Sequence, residues 1–344
     1  MVNHLTFGQN QGSPMGEANQ ICAVICTRER PDKLRRALMS LVAQVQPPAQ
    51  ILVVDNAPGD DVSRKLVQED FPSVDYVQEP IPGLDFARNR ALRETKADIV
   101  AFLDDDAVAD PGWCQLIHKT FLAYPRAGAC TGRIDTLPLE TEAQRIFEAN
   151  GGLMAQRGTR LRLPADINRQ TWWWRHAPSI VWALSLGSGC NLSVKRDLAL
   201  KLNGFDEALD HGSGIPGGGD NDMVWRILEA QSEVVYEPAI RVRHEHRREL
   251  SEVFDLLGEQ PRAVIALVTK TFRYTKGLKR LPIFAFLCWR LLKPGVRLLK
   301  RSIGRDPLPA RVLLRMWWNC WGGLGAYSAS CRQTHQIVNG DNQP

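Results

Sequence analysis

The stretch Ile99-Val100-Ala101-Phe102-Leu103-Asp104-Asp105-Asp106 sets five apolar residues directly against three acids. Its apolar part has the length and composition of a strand buried on both faces. A buried strand has little structural reason to end in acid. Adjacent carboxylates repel one another and raise each other's pKa unless a cation or hydrogen-bond donors compensate. Oxygen-only clusters of this kind suit Mg²⁺ or Mn²⁺, whose remaining coordination positions usually hold a phosphate-bearing substrate. Helix N-caps and solvated turns also collect Asp, so the weight of the cluster depends on its surroundings.

Upstream, strands and helices alternate. Ile21 to Thr27 is a short apolar strand, and Arg28 to Lys33 a turn in which Pro31 is placed to open a helix. Leu34, Leu38, Leu41 and Val42 give that helix one apolar face. Gln50 to Asp55 is a second strand, broken by Asn56-Ala57-Pro58-Gly59. A helix over Leu66 to Phe71, a strand near Val74 to Val77 and a helix over Ala87 to Thr95 lead into the acidic strand. Continuous apolar strands alternating with helices predict an α/β fold, with a mainly parallel sheet covered on both faces. Ligands of such sheets bind beyond the carboxyl ends of the strands. Thr27, Asp55 and Asp104 to Asp106 all lie at those ends.

Downstream the pattern predicts a helix over Trp113 to Tyr124, a strand over Cys130 to Ile134 and a small strand after the loop beginning at Gly187. A short helix follows over Asp197 to Leu202. The glycine-rich run His211 to Gly219 leads to Asp220 at or near the N-terminus of a helix over Met223 to Ala230, where a carboxylate suits the helix dipole. An N-cap and a residue of a mobile substrate loop are both open for Asp220. Val234 to Tyr236 and Ile240 to His244 read as strands, with His244 and His246 on one face. Trp172, Trp173 and Trp174 cannot all face one core, so at least one is expected to be exposed.

The 344 residues suffice for one large domain with an appendage. Eight cysteines without metal-ligand pairing read as buried thiols in a reducing compartment, Cys22 and Cys26 facing one side of the first strand. Residues 1–19 are polar and lack the basic start and apolar core of a signal peptide, so they read as a loose tail. The net charge of +5 conceals a contrast: Gln260 to Arg305 holds twelve Lys and Arg and no Asp or Glu, leaving the preceding body acidic. Such a block implies a polyanionic partner or a solvated helix face. Leu281 to Leu292 is apolar but short for a bilayer span, and Pro294 is expected to interrupt it. With Arg297, Lys300, Arg301, Arg305 and the tryptophans of Met316 to Trp321, two readings follow: a helix on an anionic membrane surface, or helices packed on the catalytic body.

Eight pieces in order resemble the family 2 glycosyltransferases of GT-A fold. They are Val24-Ile-Cys-Thr-Arg28, Val53-Val-Asp-Asn56, Gly83-Leu-Asp-Phe-Ala-Arg-Asn-Arg90, Leu103-Asp-Asp-Asp106, Gly189-Cys-Asn-Leu192, Gly204-Phe-Asp-Glu207, Gly219-Asp-Asn-Asp-Met223 and Arg243-His244. The resemblance spans Ile21 to His246, about two-thirds of the chain. It implies a GT-A (Rossmann-like) catalytic domain over 20–250, with a nucleotide-binding half over 20–115 and an acceptor half over 116–250. A basic helical region over 251–344 follows. Thr27, Arg28, Asp55, Arg88, Asp104 and Asp105 would then bind the nucleotide, Asp55 holding the base or ribose. Asp106 would bind Mg²⁺ or Mn²⁺ on the diphosphate, with His244 as an additional ligand. Asp220 would be the general base. Gly219 stands where many members carry Glu, and an alignment shifted by one puts Asp222 in that role instead.

The implied reaction moves a sugar, with inversion, from a nucleoside-diphosphate donor to a hydroxyl of a glycan or lipid-linked glycan. UDP is the family's commonest carrier. The implied place is the cytoplasm or the inner face of the cell membrane, with no nucleic-acid partner. A metal-dependent nucleotidyltransferase is the enzymatic alternative, although no phosphate-cradling Gly-rich loop with Lys follows the first strand. A non-catalytic carbohydrate-binding protein is the other, and it would need neither the aspartates nor Asp220. No Gly-x-Gly-x-x-Gly follows Ile21 to Thr27, which disfavours a redox Rossmann enzyme.

Overall fold

The computed structural model describes residues 20–153, 158–186, 188–210 and 214–339. The expected N-terminal tail and the first part of the glycine run beginning at position 211 lie outside the described residues. The first elements are β1 (Ile21–Thr27), α1 (Pro31–Val42), β2 (Gln50–Asn56), α2 (Val62–Asp70), β3 (Asp75–Glu79), α3 (Leu84–Glu94), β4 (Ile99–Leu103) and β5 (Ala107–Ala109). Then come α4 (Trp113–Ala123), β6 (Ala127–Thr136), α5 (Glu142–Ala149), β7 (Leu161–Leu163), α6 (Trp172–Arg175) and α7 (Ser179–Leu186). The sheet is completed by β8 (Asn191–Lys195), α8 (Arg196–Lys201), α9 (Gly219–Glu229) and β9 (Glu233–His244). Three long helices follow: α10 (Leu250–Tyr274), α11 (Arg280–Ser302) and α12 (Ala310–Val338).

One sheet runs β3-β2-β1-β4-β8-β6-β9-β5, with β7 also on β9. The first four strands are parallel, as the strand-helix alternation requires. Beyond β4 the sheet is mixed: β8 is antiparallel to β4 and β6, whereas β6 and β9 are parallel. Period-2 alternation divides the strands between two cores. Cys22, Val24, Val100 and Phe102 face α3, α7, α9 and the C-terminal helices. Ile21, Ala23, Ile25, Ile99, Ala101 and Leu103 face α1 and α4.

Two expectations need correction. The strands read separately around Glu237-Pro238-Ala239 are one strand, β9. Its ladder with β6 skips there, Gly132 pairing with Glu237 and Arg133 with Arg241, because Pro238 has no N–H to donate. Pro294 does not interrupt α11. It is buried, and Trp317 of α12 packs over the neighbouring Gly295, 3.5 Å from the place of a Cβ; tertiary packing offsets the lost backbone bond. All eight cysteines are free. Trp172 and Trp173 are exposed, while Trp174 stacks on Trp182 with ring centroids 4.6 Å apart.

Candidate active site

The parallel strands end together, and a cleft of about 600 Å³ opens over them. Thr27 and Arg28 after β1, Asn56 after β2, Asp104, Asp105 and Asp106 after β4, and His244 at the end of β9 line it, together with Asp210. Residues as far as 217 positions apart in sequence, Thr27 and His244, meet here because the strands deliver their C-terminal residues to the same edge.

Each aspartate has its own compensation. The Thr27 hydroxyl donates to Asp105 at 2.9 Å and the Arg30 guanidinium at 3.2 Å. Asp106 faces Lys33 at 3.3 Å, Arg30 at 3.6 Å and His244 Nε2 at 3.0 Å. Burial works to raise the Asp106 carboxyl, but these cations, His244 foremost, hold it below the usual range. Asp104 is pushed up to about 7, first by burial and then by Asp106, with Arg88 and His244 opposing. Burial disfavours charge on His244, yet Asp106 and Asp104 raise its pKa.

The His244 ring is aimed by a relay. His246 Nε2 lies 3.0 Å from Glu148, and His246 Nδ1 lies 3.3 Å from His244 Nδ1. A His246 that gives its Nε2–H to Glu148 accepts at Nδ1 from His244, which turns His244 Nε2 to the aspartates. A carboxylate oxygen of Asp104, the Cys190 thiol and a ring nitrogen of His244 lie within 4.8 Å of one another. Burial pushes the Cys190 thiol well up, so it stays protonated and is a poor ligand. Carboxylates with one imidazole are the donors that fit a hard or borderline divalent ion, and the three cations already gathered on Asp106 mark a place that demands positive charge.

Asp55, Arg88 and Asp220 stand outside the cleft lining. Asp55 is buried; Tyr76 donates to its Oδ2 at 2.8 Å, and its Oδ1 has no hydrogen-bond partner among the described residues. Arg88 is buried on α3, bound to Asp85 at 2.9 Å and 3.6 Å from Asp210, and it feels Asp220 and Asp104 as well. Gly189 must be glycine for this: a Cβ there would lie 2.0 Å from an Arg88 nitrogen. Asp220 sits in the first turn of α9 and accepts from the Gly189 N–H at 2.6 Å. Asp222 is fully buried, held by Arg226 at 2.7 Å and Lys270 at 2.5 Å.

Sequence reasoning missed Arg30 and Lys33, which looked like an ordinary charged turn, and Asp85, although its spacing of three before Arg88 is the signature of a helical ion pair. Burial raises the Asp85 carboxyl well above the usual range, and a Cβ on Gly219 would fall 1.7 Å from it. Asp85 thus packs closely against the first residue of α9.

A family model described as glycosyl transferase family 2 matches residues 22–177. Those residues, a little under half of the chain, match a family 2 glycosyltransferase domain. The match takes in β1 to β4 and the three aspartates; Asp220 and His244 lie beyond it. Pre-mycofactocin glycosyltransferase of Mycobacterium tuberculosis is 26% identical over 246 residues, 70% of this chain and 46% of that protein. The chain therefore spans about half the length of that relative. Glucosyl-dolichyl phosphate glucuronosyltransferase of Haloferax volcanii is 26% identical over 235 residues, 65% of this chain and 69% of that protein. The glycosyltransferase fold is also that of mannosyltransferase PcManGT from Pyrobaculum calidifontis, solved with GDP-Man and Mn²⁺. That likeness has a TM-score of 0.56 at 18% identity and covers 90% of this chain and 85% of that one. The GT-A-like sheet with appended C-terminal helices expected from sequence is therefore the observed one.

Proposed function

We propose that this glycosyltransferase domain, taken as residues 20–250, moves a sugar from a nucleoside diphosphate, UDP being the family's commonest, to a hydroxyl of a glycan or lipid-linked glycan. The observation that carries the reading is the pairing of two acidic centres through one cation. Arg88 lies 3.6 Å from Asp210 in the cleft lining and lies against Gly189, whose N–H donates at 2.6 Å to Asp220 at the start of α9. One centre faces the leaving group and the other the acceptor. The haloarchaeal relative, by its name, acts on a lipid-linked glucose, which supports the lipid-linked choice of acceptor.

In this mechanism Asp55, with one buried oxygen unpaired, accepts a hydrogen bond from an N–H of the base. Thr27, Arg28 and Asp105 shape the cleft around the nucleotide. Asp104, Asp106 and His244 would hold Mg²⁺ or Mn²⁺, which as a Lewis acid neutralises the charge that builds on the leaving diphosphate. Asp220 takes the proton of the acceptor hydroxyl as that oxygen bonds to the anomeric carbon and the bond to the diphosphate breaks. Attack opposite the leaving group inverts the anomeric centre. The Gly189 N–H and Arg88 keep Asp220 in place.

The test is product release from UDP-, GDP-, dTDP- and CDP-sugars with and without Mn²⁺, beside thermal stabilisation by each nucleoside diphosphate. Metal-dependent stabilisation and diphosphate release with one carrier supports the reading, since a ligand of the folded state raises apparent stability. Release of pyrophosphate from a nucleoside triphosphate would instead establish the nucleotidyltransferase.

A further inference from the structure

Helix α11 has two apolar faces. Ile283 and Leu287 pack into the core shared with α10 and α12. On the outside Leu281, Trp289, Leu292, Leu299 and Ile303 are each more than half exposed, with Val296 exposed among them. From Trp289 onward they recur at alternating steps of three and four, so they form one stripe along the helix. The stripe is roughly 33 Å long at 1.5 Å per residue. Helix α12 repeats the arrangement at Leu314, Trp318 and Trp321, all more than half exposed. A solvated helix carries polar groups on its outer face, and contiguous apolar patches of this extent mark an interaction surface.

The charges around the stripe select its partner. Lys276, Lys279, Lys293, Lys300, Arg301 and Arg305 are exposed, and none forms an ion pair among the described residues. Arg297 differs: it is consumed internally by Asp306 at 2.6 Å. A second copy of the chain would bring two uncompensated positive surfaces together. An anionic bilayer supplies both missing components, phosphates for the cations and acyl chains for the stripe, with Trp at the boundary. No helix among the described residues is long and apolar enough to cross a membrane, so the helix lies in the headgroup plane.

We propose that the outer face of α11, with the exposed Leu314 to Trp321 segment of α12, docks on an anionic phospholipid surface. This goes beyond sugar transfer and needs no donor to be tested. The full chain is sedimented with phosphatidylcholine vesicles and with vesicles that also contain phosphatidylglycerol. Binding to the anionic vesicles alone, weakened by salt, is expected. Leu292→Glu with Leu299→Glu, and separately Lys293→Glu with Lys300→Glu, should each lower the partition coefficient about ten-fold or more. Unchanged thermal unfolding would show that these exposed substitutions leave the fold intact. No binding to anionic vesicles, or binding unaffected by either pair, overturns the proposal. Light scattering that shows a dimer lost in the Leu292→Glu, Leu299→Glu chain, without vesicle binding, assigns the face to a second copy instead.

Discussion

Lys270 of α10 lies 2.5 Å from Asp222 of α9, two residues beyond the proposed base. The same ammonium lies 2.5 Å from Asp206, which also accepts from the Tyr327 hydroxyl of α12 at 2.7 Å. Helix α9 is thereby tied to the C-terminal helices by a buried charge cluster. Removing Lys270 leaves buried Asp222 to Arg226 alone and Asp206 to the Tyr327 hydroxyl, so part of their desolvation goes uncompensated. Lys270→Met should therefore cost about 3–5 kcal/mol in urea unfolding.

The same cluster fixes an acid-side dependence. Against the upward push of burial, Lys270 and Tyr327 hold the Asp206 carboxyl below its usual range. Its contribution to stability is fully present above the unfolded value of about 3.9 and is lost as pH falls through the lower folded value. Between about pH 4 and pH 2 the wild-type chain should lose stability more steeply than Lys270→Met. Parallel slopes in the two chains would show that Asp206 does not report this pairing.

Gly189→Ala probes the contact between the two centres. Its Cβ would fall 2.0 Å from the Arg88 guanidinium, which is buried and bound to Asp85 and cannot swing into solvent. Either Arg88 or the Gly189 backbone moves, and Asp220 loses its 2.6 Å donor. Turnover should fall by about 100-fold, as for a displaced catalytic group, with a smaller loss in stability. Wild-type turnover in this variant would separate Gly189 from the base.

Some of this geometry is legible in the chain and some is not, for physical reasons. The three aspartates stand out because carboxylates that close a buried strand serve no packing purpose; Thr27 follows from its place at a strand end, and His244 from the family resemblance. Arg30 and Lys33 do not stand out, since charged turn residues are normally solvated and only the fold shows them turned onto Asp105 and Asp106. β5 and β7 have three residues each, too few to display a period. The reversed direction of β8 leaves no local trace, because a five-residue strand reads the same whichever way its neighbours run. Pro294 misleads for a different reason: its cost is local, whereas the packing of α11 on α10 and α12 that offsets it is not.

Asp220 and Asp222 are separable by what each substitution changes. Asp220→Asn should lower turnover by about 10²–10⁴-fold while leaving the donor dissociation constant unchanged, since a base acts on the acceptor proton. Asp222→Asn should chiefly lower stability, because its carboxylate is fully buried between Arg226 and Lys270. A large loss of donor affinity in Asp220→Asn would contradict its role as base.

For the metal, chelation should abolish turnover, and Asp106→Ala should do so at any Mn²⁺ concentration while leaving the fold intact. His244→Ala should raise the Mn²⁺ concentration needed for half-maximal rate by about 10–100-fold, the usual cost of perturbing a ligand or its support. Glu148→Gln supplies the discriminating comparison. Glu148 lies outside the cleft lining, and its replacement weakens the relay through His246 that aims His244 Nε2 at Asp106. If His244 binds metal through that nitrogen, Glu148→Gln should shift the Mn²⁺ requirement in the same direction as His244→Ala and by less, with little change in donor affinity at saturating metal. An unaltered Mn²⁺ requirement in both variants would leave His244 as the counter-charge of Asp106 alone, and the ion would then rest on the carboxylates.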